Sequence, residues 1–257
     1  MGTELHLNTG TLLGFLLVLV RVAGVFVFVP LPGVKAGPEV ARAVLSLAIT
    51  LSLFHFWPVL EPENINTMVL IGQIASEAAL GITIGVATSF LSEMFQMGAQ
   101  ILTLQAGYSF ASTIDPTSGA DSSALLSISE TCAGLLFFGI GLDRQIIQAF
   151  AQSLITRPPG NFALSLSMAH LVVQTGSLIF STGLRLVLPI LALLLIVEIS
   201  LALLARLNTQ LQLMSLAFPI KMLLTLALFS WLILIFPQLY TQSSHQILQL
   251  VRTVLLS

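Results

Sequence analysis

Charged side chains are scarce in this sequence: Asp, Glu, Lys and Arg together make up 8% of its 257 residues. Soluble globular domains carry about 25%, whereas here 56% of the residues are hydrophobic. This composition argues against a water-soluble protein and predicts a polytopic membrane protein. The net charge of −2, without any cluster of Lys and Arg, argues against nucleic-acid binding.

Cysteine and catalytic motifs are equally scarce. A single cysteine, Cys132, allows no internal disulfide, and no Cys/His set has metal-ligand spacing. The HExxH, G-x-S-x-G and P-loop motifs are absent, and Ser122 and Ser123 lie near no His or Lys that could activate them. We therefore expect no enzyme activity, no metal and no cofactor.

Long apolar segments dominate what is present. Six of them are separated by polar turns: Leu12–Val29, Val40–Leu60, Met68–Leu91, Ala124–Leu142, His170–Leu204 and Leu211–Phe236. A shorter helix is predicted over Glu93–Ala106, and an amphipathic helix over the tail from Gln238 to Ser257. The predicted fold is an all-α, polytopic membrane-type helical bundle. Because Arg21 interrupts the first apolar run and no basic residue precedes it, we expect that run to remain as a helix rather than to be a cleaved signal peptide.

Three of these segments contain features that affect helix packing. The last two are joined by a very short link, which predicts an antiparallel hairpin, and Pro189 and Pro219 are expected to kink its helices. Gly81 and Gly85 have the GxxxG spacing that lets another helix backbone approach closely. We predict a packing role for this glycine pair.

Several charges lie well inside the apolar segments: Arg21, Glu77, Arg185, Glu198 and Lys221. A charge at the centre of a membrane helix costs about 2.5–3.5 kcal/mol on insertion scales, whereas one Leu or Ile returns about 0.3–0.6 kcal/mol. Three interpretations stay open. The charges form structural pairs, such as Arg21 or Arg185 with Glu77 or Glu198; they form a proton or ion relay; or they contact partner subunits on helices that lie partly outside the lipid.

One polar stretch, Gly107–Ser123, interrupts this apolar chain. It combines small residues, hydroxyl groups, the carboxylates of Asp115 and Asp121, and Pro116, which breaks a helix. Non-helical backbone in a membrane protein persists only where protein surrounds it or where it lines a watery cavity. This stretch is therefore the candidate functional site.

Residues 105–116, QAGYSFASTIDP, resemble the signature loop of the FliR family of type III secretion export-gate subunits, which includes flagellar and virulence members. The resemblance continues in Gly176–Phe180, in Leu188-Pro189, in Leu203–Arg206 and in Phe218-Pro219. It spans nearly the whole chain and adds Arg206 to the charges expected in subunit contacts.

The resemblance implies one gate unit over residues 1–257. Residues 1–168 would be FliP-like helices that include a plug loop at 106–123, and residues 169–257 would be a FliQ-like hairpin with a C-terminal helix. The implied partners are FliP, FliQ and FlhB, the basal-body ring, the lipid membrane and unfolded flagellar proteins as substrate. The implied location is the bacterial inner membrane.

The plug residues fit such a role chemically. Gly107 and Gly119 allow sharp turns, and Tyr108, Phe110 and Ile114 supply bulk that can obstruct a pore. The neighbouring polar and turn-forming positions tolerate water: Ser109, Asp115 and Pro116. An ordinary surface loop is the alternative interpretation.

The leading hypothesis is therefore a pore-closing subunit of the flagellar protein export gate. A virulence-type export-gate subunit is the first alternative. A secondary transporter, in which a broken helix and buried charges bind a small solute, is the second, although the sequence shows no inverted repeat of the kind common in transporters.

Overall fold

The structure is a computed structural model that describes residues 9–29, 39–58, 66–108, 124–156, 158–160, 166–207 and 213–256. These residues are almost entirely helical and include no strand, so the predicted all-α class is confirmed. The described α-helices are α1 Thr9–Phe28, α2 Glu39–Ser52, α3 Thr67–Ala106, α4 Ala124–Gly139, α5 Leu142–Thr156, α6 Leu166–Leu207 and α7 Leu213–Leu256. A short 3-10 helix, Phe54–Phe56, follows α2.

Helix length and composition identify a membrane protein. Four of the described helices are long and apolar enough to cross a bilayer: α1, α3, and most of α6 and α7. Helices α4 and α5 are bent by 56° at the break between them and provide a fifth span if the pair is counted as one. The predicted membrane-type bundle is thus confirmed.

Two predicted breaks between helices are wrong. Met68–Leu91 and Glu93–Ala106 were expected as separate helices, but α3 runs unbroken from Thr67 to Ala106. The polar residues near Glu93 include no Gly or Pro, so they make the helix surface more polar without interrupting the backbone hydrogen bonds of the helix. Helix α7 likewise continues through Pro237, because one lost N–H donor is tolerated inside an otherwise intact apolar helix. The expected kinks at Pro189 and Pro219 stay predictions.

The fourth apolar segment ends earlier than predicted and is followed by a helix that the sequence pattern did not indicate. Helix α4 ends at Gly139, and Gly141 adopts a φ of 73°. The N–H of Gly141 donates to the carbonyl of Phe138 at 3.0 Å, which closes the turn. Helix α5 then starts at Leu142, with Asp143 in its first turn, where a carboxylate is favoured by the helix dipole.

The chain packs as two compact units. The first unit comprises residues 1–90, 137–176 and 244–257, and the second comprises residues 91–136 and 177–243. Helices α3, α6 and α7 each contribute residues to both units. The predicted division at residue 168 was based on resemblance to FliP and FliQ and not on how the helices pack. It stays a prediction.

In the first unit, the backbones of α1 and α3 approach each other closely at glycine residues. A Cβ atom added at Gly81 would lie 3.1 Å from the Cα of Gly24 and would collide with the Arg21 carbonyl oxygen. A Cβ atom at Gly85 would lie 3.0 Å from the Cα of Val25. The GxxxG pair therefore faces α1 and allows direct backbone approach.

In the second unit, aromatic side chains join α3 to α7. Phe95 of α3 packs against Phe236 with ring centroids 4.2 Å apart and stacks on Tyr240 at 5.5 Å. Phe229 contacts the edge of Phe236 at 6.2 Å. All four rings are almost fully buried, so they form the core of this unit.

Substituting Gly81 with Ala should destabilise the protein, whereas the same change at Gly72 should not. The new methyl at position 81 meets the α1 backbone, and such overpacking costs about 1–3 kcal/mol. Position 72 lies on the same helix with no atom within 4 Å of an added Cβ, and there Ala gains up to about 1 kcal/mol of helix propensity. The midpoint of thermal unfolding of the purified assembly measures the effect of each substitution. Equal midpoints for the two variants would contradict the close packing of α1 against α3 at Gly81.

Candidate functional site

The described structure reaches the beginning of the candidate loop. Gly107 and Tyr108 are described, whereas six of the predicted plug residues lie outside the described residues: Ser109, Phe110, Ile114, Asp115, Pro116 and Gly119. The site can therefore be built from the helix that leads into it.

Helix α3 ends in a Schellman motif that sets the direction of the following chain. Gly107 adopts a φ of 83°, a left-handed conformation that glycine accepts without strain. Its N–H donates to the Leu104 carbonyl at 3.2 Å, and the N–H of Tyr108 donates to the Thr103 carbonyl at 3.1 Å. The sequence prediction of a turn at Gly107 is confirmed by these contacts.

The side chain of Tyr108 attaches the same point to α7. Its hydroxyl group donates to the main-chain carbonyl of Met222 at 2.9 Å. Partial burial raises the pKa of the Tyr108 phenol above its usual value, so the hydroxyl group keeps the proton that it donates. The start of the loop is thus held by both its backbone and its side chain.

An ion pair lies beside this contact. The ammonium of Lys221 lies 3.1 Å from a carboxylate oxygen of Glu198, and the Gln105 side-chain amide donates to the other oxygen at 3.4 Å. The Lys221 side chain is 12% exposed and that of Glu198 is 50% exposed. We call Gln105, Tyr108, Glu198, Lys221 and Met222 the three-helix junction, because their contacts join α3, α6 and α7 within the second unit.

A second polar cluster is fully buried in the first unit. Arg21 of α1 donates through Nε to Glu77 of α3 at 2.5 Å, and neither side chain is exposed. Arg21 also donates to the hydroxyl group of Ser153 at 3.3 Å. The other carboxylate oxygen of Glu77 accepts the N–H of Gly160 at 3.0 Å, and Gln73 donates to the Gly160 carbonyl at the same distance.

This arrangement explains how two charges persist inside apolar helices. Burying an ion pair is favourable only when additional hydrogen bonds satisfy the remaining donors and acceptors. Glu77 and Gln73 lie one helical turn apart and therefore share one face of α3, where both contact Gly160. We call Arg21, Gln73, Glu77, Ser153 and Gly160 the Glu77 cluster; it attaches α1, α3, α5 and the segment after α5 to one another.

The structure distinguishes among the interpretations of the embedded charges. Arg21 and Glu77 form one of the pairs considered from the sequence, whereas Glu198 pairs with Lys221 instead of an arginine. Arg185 and Arg206 are exposed and form no ion pair among the described residues. Sequence reasoning missed Gln73, Ser153 and Gly160; the only signal for Gly160 was its place in a Pro-Pro-Gly turn.

Metal binding finds no support in the described part of the chain, where no group of three or more His, Cys, Asp or Glu side chains is placed to hold an ion. The geometry of both clusters instead suits mechanical attachment of helices.

Replacing Glu77 with Ala should strongly destabilise the protein, because it leaves the buried Arg21 guanidinium without its counter-charge. Breaking one side of a buried pair costs about 3–5 kcal/mol, whereas replacing both charges by apolar groups of similar size costs much less. The double variant Arg21→Met, Glu77→Leu should therefore unfold at a higher temperature than Glu77→Ala alone. A Glu77→Ala variant as stable as the unaltered protein would contradict the role of the cluster.

Comparison with known proteins places this chain in a family. The family model described as "Bacterial export proteins, family 1" matches residues 12–247. The flagellar biosynthetic protein FliR of Escherichia coli (strain K12) is 28% identical over 204 residues, which cover 79% of this chain and 78% of the relative. FliR of Buchnera aphidicola subsp. Acyrthosiphon pisum is 25% identical over 84% of this chain and 83% of its own, and FliR of Bacillus subtilis (strain 168) is 24% identical over 80% and 81%. The chain belongs to the bacterial export proteins of family 1.

Proposed function

We propose that this chain is a pore-closing subunit of the flagellar type III export gate, through which unfolded flagellar proteins cross the inner membrane. The family match and the flagellar names of the relatives support a subunit of the flagellar export apparatus. The proposal adds three points to this: the pore-closing role, the location in the inner membrane, and unfolded flagellar proteins as the substrates.

The observation that carries the proposal is the extent of exposed apolar surface on α6. Large apolar side chains are exposed along it from Val173, at 70%, through Phe180, at 61%, to Leu207, at 82%. At 1.5 Å per residue, this stretch is about 50 Å long, whereas the hydrocarbon core of a bilayer is about 30 Å thick. A tilt of about 40°, at the upper end of the usual range, does not remove the difference.

Part of this surface therefore needs protein rather than lipid as its cover. Helix α7 also exposes large apolar side chains, among them Leu223, at 69%, and Leu234, at 74%, but over a length that a bilayer can cover. The partners that fit are the membrane subunits FliP and FliQ, whose helices would pack on these faces, and FlhB at the gate entrance. The exposed Arg185 and Arg206 would then contact partner subunits or lie outside the lipid.

In this proposal, the loop that begins at Gly107 is the plug. The Schellman motif and the Tyr108 contact give this loop a defined starting point beside α7. Phe110 and Ile114 would supply the bulk that obstructs the pore, while Asp115 and the hydroxyl residues tolerate the water of an open state. A gate subunit of this kind needs no catalytic residues.

The flagellar system is favoured over the virulence system because the three relatives named above are all flagellar biosynthetic proteins. No contact in the described structure favours a small-solute transporter.

Co-purification tests the assembly. A tagged form of the chain, produced together with FliP, FliQ and FlhB, should be isolated as a stable complex with FliP and FliQ. The same chain produced alone should aggregate or be degraded, because its exposed apolar faces lack their cover. A stable, monodisperse monomer would contradict the proposal.

Leak measurements test the plug. Deleting Ser109–Ser118, or replacing Phe110 with Ala, should increase potassium efflux from vesicles that contain the assembled complex, since the obstruction is removed while the helices remain. Phe54→Ala is the control, because it removes a 40% exposed ring from the 3-10 helix, which precedes the loop by about 50 residues in the sequence. Efflux that stays at the level of the unaltered complex after the deletion would rule out the plug role.

A further inference from the structure

A cavity of about 250 Å³ lies within the first unit. Eight of the nine described residues that line it are apolar, and they come from α1 and the residue after it, from α2, from the end of α4 and from the beginning of α5. Apolar cavities of this kind stay free of water and bind apolar molecules, because water finds no hydrogen-bond partners in them. The cavity is therefore a candidate ligand site that is separate from both polar clusters.

The turn between α4 and α5 forms part of this space. The two helices are bent by 56° at their break, which contains Gly141. A Cβ atom added at Gly141 would find no atom within 4 Å, so the turn itself leaves room around its backbone. Phe137 before the turn and Ile146 after it both line the cavity, which places the cavity beside the bend.

The lining residues differ in exposure, which gives the cavity a closed side and an open side. Val29, Phe137 and Ile146 are buried, so they form an apolar floor. Phe138 is 44% exposed and Asp143 is half-buried. A ligand therefore meets an accessible edge that carries a carboxylate and an interior that is apolar.

Asp143 is the one charged side chain among the described residues that line the cavity. It forms neither an ion pair nor a side-chain hydrogen bond with the rest of the described chain. Ionisable groups within apolar helices usually pair with an opposite charge, as Arg21 does with Glu77. The first turn of α5 favours a carboxylate but supplies only a partial positive charge. The edge of the cavity thus has the charge that a cation needs.

We propose that this cavity binds a single-chain amphiphilic amine, whose alkyl chain fills the apolar interior and whose ammonium group pairs with Asp143. Because an apolar cavity of about 150 Å³ holds benzene, one of about 250 Å³ accommodates about eight to ten carbons. Two acyl chains of a phospholipid do not fit in that volume. The inference does not depend on the plug role, since all the lining residues belong to the first unit.

The test uses the assembled complex in phosphatidylglycerol nanodiscs and an octylammonium ion with a photoreactive diazirine on its chain. Unlabelled alkylammonium ions of increasing length compete with this probe. Their affinity should rise about fourfold for each added CH₂ group and should level off at about ten carbons, when the cavity is full. An affinity that keeps rising with longer chains would indicate partition into lipid and would overturn the proposal. So would labelling that falls entirely outside residues 137–147 and the facing parts of α1 and α2.

The charge is tested by Asp143→Asn, which keeps the size of the side chain. The variant should bind octylammonium about two- to tenfold more weakly, the range expected for losing one partly exposed charged contact, and should bind octanol as the unaltered complex does. Arg144→Gln is the matched control, because Arg144 is exposed and does not line the cavity, and it should weaken neither ligand. Equal affinities of the Asp143→Asn and unaltered complexes for octylammonium would overturn the pairing.

The space is tested by Ile147→Trp, which places a larger side chain in the wall of the cavity and should abolish labelling by the probe. Gln148→Trp adds the same side chain at the next, exposed position, outside the cavity lining, and should leave labelling unchanged. The amount of FliP that co-purifies reports assembly in both variants. Labelling of an assembled Ile147→Trp complex at the unaltered level would overturn the proposal, and the Asp143→Asn comparison decides if that variant does not assemble.

Two further results would overturn the site. Phosphatidylethanolamine in the nanodisc could displace the probe as effectively as octylammonium does, which would identify a phospholipid rather than a single-chain amine. The probe could also fail to label the assembled complex at all, which would show that a partner subunit covers the cavity.

Discussion

At 1.5 Å per residue, the 40, 42 and 44 residues of α3, α6 and α7 form helices of about 60–66 Å. A bilayer offers a hydrocarbon layer of about 30 Å. Because exposed apolar side chains continue along α6 from Val173 to Leu207, over about 50 Å, lipid alone cannot cover them. Under the proposed function, subunits of the export apparatus cover the remaining apolar surface, whereas two pairs of charges inside the apolar helices are accommodated by contacts within the chain.

The embedded charges are accommodated in two physically different ways. Arg21 and Glu77 are fully buried and are supported by a serine hydroxyl and a backbone N–H, so separating them would strand a charge. Glu198 and Lys221 are partly exposed, and water can replace either partner at little cost. The first arrangement suits a permanent attachment, whereas the second is a weaker contact between partly exposed side chains of three helices.

Much of the fold followed from local sequence patterns, and the errors have local causes as well. Apolar segments identified the spans, and Gly107 correctly indicated the end of α3. The pattern divided α3 near Glu93 because polar residues resemble a boundary, although they leave the helical backbone intact. It overlooked α5, although the acidic residue in its first turn, Asp143, favours a helix.

Composition and apolar periodicity by themselves determined that this is a helical membrane protein with a polar interruption at Gly107–Ser123, because both properties depend on residue type and local spacing. The pairs considered from the sequence included Arg21 with Glu77 but not Glu198 with Lys221. Only the tertiary structure decided that Arg21 pairs with Glu77, that Glu198 pairs with Lys221, and that Tyr108 reaches Met222. These contacts join residues 23 to 114 positions apart, and their formation depends on how helices pack in three dimensions rather than on any local preference of the chain.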